Sequence, residues 1–142
     1  MIQTTAFIIG DTLISNIRPY FKKIVYCGLS DGCSTDVSCF HPNKNNLSIY
    51  LYNVLYDDGF SDYMVAGSEG TKMPRGDKTQ IMRYPIAIPS DTVLDDFMGI
   101  VTPMNEKRLL LTSESRYLAV LCDALLPRLM SGELSVKDID IA

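Results

Sequence analysis

The stretch that decides the fold runs from Ser90 to Leu134: SDTVLDDFMGIVTPMNEKRLLLTSESRYLAVLCDALLPRLMSGEL. Val93, Phe97, Ile100, Met104, Lys107, Leu111, Glu114, Leu118, Leu121, Leu125 and Arg128 follow one another at alternating spacings of four and three. That is a heptad ladder, with polar steps at Lys107, Glu114 and Arg128. Ser90 or Asp91 is placed to cap its start, and Asp95 and Asp96 fall in the first turn, where the helix dipole favours carboxylates. Pro103 is expected to kink the helix or split it in two. A plain amphipathic helix lying on its own domain is one reading. The ladder is longer than the rest of so short a chain can cover, and the expectation is that its apolar steps (Val93, Phe97, Ile100, Met104, Leu111, Leu118, Leu121 and Leu125) form an interface with another helix.

Upstream the period changes. TLISNI alternates as a strand does, Pro19 ends it, KIVYC is a second short strand, and STDVSCF after the turn GLSDG is a third. The three fit an antiparallel meander. LSIYLYNVLYDDGFSDYMVAG is helical, with Leu47, Leu51, Val54 and Leu55 on one face and Phe60, Tyr63 and Met64 continuing after a break near Gly59. The tyrosines Tyr50, Tyr52 and Tyr56 read as core and rim packing. GSEGTKMPRG is a loop, Asp77 with Gln80 resembles an N-capping pair opening a helical turn, and YPIAIP is expected to be a short apolar strand. The fold class is therefore α+β: a small mixed domain of short antiparallel strands and helices over residues 1–89, then a long coiled-coil-like helix and tail over 90–142.

The 142 residues, 46% hydrophobic, suffice for one core. No apolar run reaches the roughly 20 residues that span a bilayer. MIQTTAFIIGD lacks the features of a signal peptide, so a cytoplasmic chain is expected. Cys27, Cys33, Cys39 and Cys122 form no CxxC pair and His41 is the single histidine, which disfavours a zinc set and histidine-based nucleophilic catalysis. Buried or half-buried free thiols are the expectation. Asp57 and Asp58 read as solvated helix-end charge. No glycine-rich cofactor loop, methylation motif or Walker sequence occurs. The chain is expected to be no enzyme, and to hold no cofactor and no metal. The net charge of −4 is unevenly spread: residues 1–86 carry eight basic and eight acidic residues, and 87–142 carry five against nine.

The run ESRYLAVLCDALLPRLMSGEL resembles the distal conserved helix of type I restriction–modification specificity subunits, which commonly ends in spaced leucines, then leucine-leucine-proline-basic-leucine and Ser-Gly-Glu. YPIAIPSDTVLDDFMGIVTPMNEK is similar to that family's passage from target recognition domain into the helix. GDTLISNIRPYFKKI, DGCSTDVSCF and GTKMPRGDKTQIM resemble one class of its recognition domain. The resemblance implies a half-subunit: one recognition domain, truncated at its front, followed by one helix. It further implies DNA, methyltransferase (modification) subunits and restriction subunits as partners. A homodimer, or pairing with another specificity half, would fill the helix seam.

Two basic clusters are candidates for DNA contact. Lys72, Arg75 and Lys78 lie among the glycines of GSEGTKMPRGDK: glycines let backbone approach phosphate, arginine forks onto guanine, and lysine suits phosphate. A solvated basic loop is the alternative. Arg18, Lys22 and Lys23 flank Tyr20 and Phe21 between two strands. Stacking on bases or contacting the DNA backbone is one reading, and a plain hairpin turn with buried aromatics is the other.

Overall fold

The computed structural model describes residues 4–70 and 72–135. The acidic tail from Val136 and the first three residues lie outside them. Strands β1 (Thr4–Phe7), β2 (Thr12–Ser15), β3 (Ile24–Tyr26), β4 (Asp31–Ser34) and β5 (Val37–Phe40) precede helices α1 (Ser48–Tyr56), α2 (Asp58–Ala66), α3 (Lys78–Ile81) and α4 (Asp91–Met130). The fold is mixed α+β with one long C-terminal helix. It divides into two compact units, Met1–Thr102 and Pro103–Ala142, so the first turns of α4 belong with the mixed domain.

Strand pairing among the described residues is antiparallel, but it is not the expected meander. β2 lies in the middle of a three-stranded sheet, with β3 on one side (Leu13 opposite Val25) and β5 on the other (Leu13 opposite Cys39). β1 and β4 form a separate pair with Ala6 opposite Gly32. The single strand expected over STDVSCF is instead the end of β4, a turn at Thr35 and Asp36, and β5. The Ser34 hydroxyl accepts from the Asp36 N–H at 3.3 Å, a side-chain turn that needs no glycine or proline.

The core forms where β2 meets the helices. Ile14, Leu55, Phe60, Met64 and Ile81 are buried, flanked by Ile24, Phe40, Leu51 and Tyr84. Phe60 has no exposed surface, and its ring meets Tyr84 edge-on at 5.0 Å. The break between α1 and α2 falls at Asp57, whose carboxylate accepts from the Gly59 N–H at 2.9 Å and so caps α2. Asp77 caps α3 in the same way, accepting from the Thr79 N–H at 2.8 Å. Gln80 does not complete a capping box. Its amide donates to the Tyr63 carbonyl at 2.9 Å, tying α3 to α2. A Cβ at Gly67 would stand 1.6 Å from the Gln80 side-chain oxygen, so this tie requires glycine there.

YPIAIP is no strand. Residues 84–90 are irregular, and Ile88 is 76% exposed. Prolines at both ends remove ladder donors, and among the described residues no strand pairs with it. From Asp91 the chain is helical without interruption to Met130, through both Pro103 and Pro127, so Pro103 does not split the helix. Within the first unit α4 docks through buried Leu94 and through Phe97, whose ring meets Tyr50 edge-on at 5.8 Å.

Candidate nucleic-acid interface and helix seam

Two of the expected basic clusters are joined by backbone pairing. The Arg18 N–H donates to the Pro74 carbonyl at 2.8 Å, the Gly76 N–H to the Asn16 carbonyl at 2.9 Å, and Ile17 bridges Arg75. The loop carrying Arg75 closes on itself, with Glu69 and Arg75 exchanging N–H donors at 2.9 and 3.0 Å across the turn that Gly70 permits at φ +99°. Asn16 holds this junction. It is buried, its N–H donates to the Asp36 carbonyl at 2.9 Å, and its side-chain oxygen accepts from the Ser38 hydroxyl at 2.9 Å. Nothing in the local sequence marks Asn16 out, because its partners come from β5 and from a loop sixty residues further on.

The result brings the segment that carries Arg18 against the one that carries Arg75, with Lys78 three residues further on. The Arg75 guanidinium stands 3.3 Å from the Asp36 carboxylate with both side chains largely in solvent, and the Lys78 ammonium reaches the Thr35 carbonyl at 3.5 Å. Glu69, Arg75, Gly76, Asp77 and Lys78 line an open cleft. Lys72 is exposed on the same loop.

Lys22 is engaged elsewhere. Its ammonium pairs with Asp58 at 2.5 Å and lies 4.8 Å from the Tyr56 ring centroid. The hydrogen bond that Lys22 donates to Asp58 raises the lysine's pKa, and the same bond lowers that of the aspartate. Lys23 is exposed, with its ammonium 5.7 Å from the Phe21 centroid. The aromatic pair is not buried as a plain hairpin turn would have it: Tyr20 is 52% and Phe21 54% exposed. Arg18 and Lys22, at φ 52° and 49°, are the non-glycine residues with left-handed backbone among the described residues. Each such residue costs roughly 1–2 kcal/mol, a strain that the surrounding hydrogen bonds must hold.

Two of the thiols and the histidine gather around the buried Asp11. Burial pushes Cys27 up to about 11. Burial, together with the hydrogen bond to Asp11, pushes Cys39 up to about 12. Both are therefore neutral thiols, weak as nucleophiles or ligands. Asp11 is the hub: buried, it accepts from the Ile8 N–H at 3.0 Å and from the Cys39 thiol at 3.3 Å, and it pairs with His41 at 2.6 Å. Its burial favours the neutral acid, but the hydrogen bonds from Ile8, His41 and Cys39 outweigh this and hold the carboxyl below its ordinary value. Among the described residues no group of three His, Cys, Asp or Glu is placed to hold a metal ion. Cys122, against expectation, is exposed.

Along α4, Val93, Ile100, Met104, Leu111, Leu118 and Leu121 are exposed, and Leu125 is half-buried. Phe97 is engaged with Tyr50 and stands apart from that open row. No helix of the described residues is long and apolar enough to cross a membrane. Compared with models of protein families and with curated proteins, the chain matches none.

Proposed function

We propose that the chain is a DNA-specificity component of a restriction–modification complex, acting in the cytoplasm by recognition and assembly rather than by catalysis, and without a cofactor. The mixed domain reads a DNA half-site. The long helix docks methyltransferase and restriction subunits and pairs with a second helix. The observation that carries the reading is the backbone clamp between residues 16–18 and 74–76, which joins the two basic segments, with Arg75 and Lys78 lining one open cleft beside it. In this reading Arg75 forks onto a guanine edge, while Arg18, Lys72 and Lys78 take phosphates.

The seam residues favour a second copy running antiparallel. A parallel, in-register pair would set Lys107 on Lys107 and Glu114 on Glu114, which is repulsive. An antiparallel pair sets Ile100 opposite Leu118 and Val93 opposite Leu125, and brings Lys107 within about one turn of Glu114. Two recognition domains would then lie at opposite ends and read a symmetric, split site. The same seam supports a second reading, in which helix-mediated assembly is the whole role and the domain reads no DNA.

DNA binding decides between them. The free chain is expected to bind duplex DNA in the non-specific range, about 10⁻⁴ to 10⁻⁶ M. In a reconstituted complex, Arg75→Ala should lower affinity for the cognate site by about 1–3 kcal/mol and relax discrimination, whereas Lys72→Ala should weaken all sequences alike and flatten the salt dependence. Unchanged binding in both variants would leave assembly as the function.

A further inference from the structure

The turn from Arg18 to Lys22 presents its rings outward on a fixed support. Pro19 is buried, the Phe21 N–H donates to the Arg18 carbonyl at 3.0 Å, and the Lys22 N–H donates to the Pro19 carbonyl at 2.9 Å. One end is tied to Pro74 through the Arg18 N–H, and the other to Asp58 through the Lys22 ammonium. Between these ties Tyr20 and Phe21 lie with centroids 4.7 Å apart and planes inclined at 54°. Glycine would take both left-handed positions without strain, yet they hold an arginine and a lysine.

Exposed rings alone would fit many partners, but these share their turn with cations. Arg18 is exposed two residues before Tyr20, the Lys23 ammonium lies 5.7 Å from the Phe21 centroid, and the backbone of Ile17, next to Arg18, is bridged to that of Arg75. An apolar protein pocket has no use for that charge. A nucleic acid offers both a π face and flanking phosphates. The inclination of the rings lets one lie against a base while the other supports it from the side.

We infer that Tyr20 and Phe21 form a wedge that enters a base step of duplex DNA and unstacks it, with Arg18 and Lys23 holding the phosphates on either side. This rests on the DNA-binding reading above and adds to it a deformation of the duplex, so that the ease of opening that step becomes part of what is recognised.

The test uses the full chain and a mixed-sequence duplex carrying 2-aminopurine at scattered positions, whose emission rises when the base is unstacked. The unmutated chain should raise the emission. Tyr20→Ala with Phe21→Ala should abolish the rise and weaken binding about tenfold. The dependence of affinity on salt should stay the same, because no phosphate contact is lost. Arg18→Ala should instead reduce the salt slope by about one. Tyr20→Leu with Phe21→Leu, bulky and apolar but without π faces, should keep part of the emission rise and bind more weakly than the unmutated chain, at an unchanged melting temperature. Salt-dependent binding with no emission rise, or with full affinity in the double variants, would overturn the wedge and leave DNA reading intact. Intact DNA binding in a double variant that no longer associates with another protein subunit would assign the rings to a protein contact and also overturn it. Absence of any salt-dependent binding by the unmutated chain would overturn both readings.

Discussion

The two ends of this chain use the same kind of side chain in opposite ways. In the mixed domain Ile14, Leu55, Phe60, Met64 and Ile81 meet one another and are almost wholly removed from water. In α4 beyond Pro103, Leu110, Leu111, Leu118, Val120 and Leu126 are half or more exposed. A leucine contributes to stability only when something covers it, so the first region is stabilised by its own contacts, while the second gains from these side chains only where a partner covers them. The difference also assigns roles to substitutions: those in the domain report on folding, and those in the helix on assembly.

The sharpest way to break that division is at its two extremes. Phe60→Ala should cost about 3–5 kcal/mol, read as a shift in the guanidinium unfolding midpoint, because the ring is fully enclosed and the cavity left behind collapses only in part. Leu118→Asp should leave that midpoint in place and weaken helix association by at least about 2 kcal/mol, roughly thirtyfold, as measured by light scattering across concentration. A monomeric unmutated chain at micromolar concentration would remove the second copy as the partner.

Asp11 sharpens the division on the domain side. Its carboxyl lies below the ordinary value when folded, so its contribution is complete above the unfolded pKa of about 3.9 and is lost as the pH falls through that value toward the folded one. Asp11→Asn should cost about 1–2 kcal/mol at neutral pH and flatten the acid side of the stability profile. Chemical unfolding followed from pH 7 to pH 3 checks this, and a parallel acid limb in both proteins would assign the effect to other groups. The smallest effect is expected at Leu110, 71% exposed and off the ladder: Leu110→Ala should change the unfolding free energy by no more than about 0.5 kcal/mol.

Regular, repeated patterns were readable from the sequence, and long-range pairings were not. The ladder of α4 declares itself because its period is kept for many turns, and Asp77 declares α3 because capping is local. β4 and β5 merge in the sequence because Ser34 makes the turn between them with a hydroxyl rather than a glycine. The central place of β2 depends on β5 choosing it over β3, a choice between strands that one-dimensional alternation does not encode. The irregular course of YPIAIP depends on the lack of a neighbouring strand. For the candidate site, the six cations could be read as residue types. That the segments of Arg18 and Arg75 are clamped together, that Lys22 belongs to Asp58, and that Tyr20 and Phe21 face outward all follow from contacts between distant segments.

Pro103 has no N–H to offer the carbonyl of Gly99, so the hydrogen-bond ladder of α4 lacks one rung between them. In the time domain the helix is therefore not a single object. Amide protons in the run from Asp91 to Thr102 are expected to reach solvent when the mixed domain opens, and those beyond Pro103 by local openings that an associated helix would suppress. Hydrogen exchange along one unbroken helix thus keeps two separate clocks, one set by folding and the other by company.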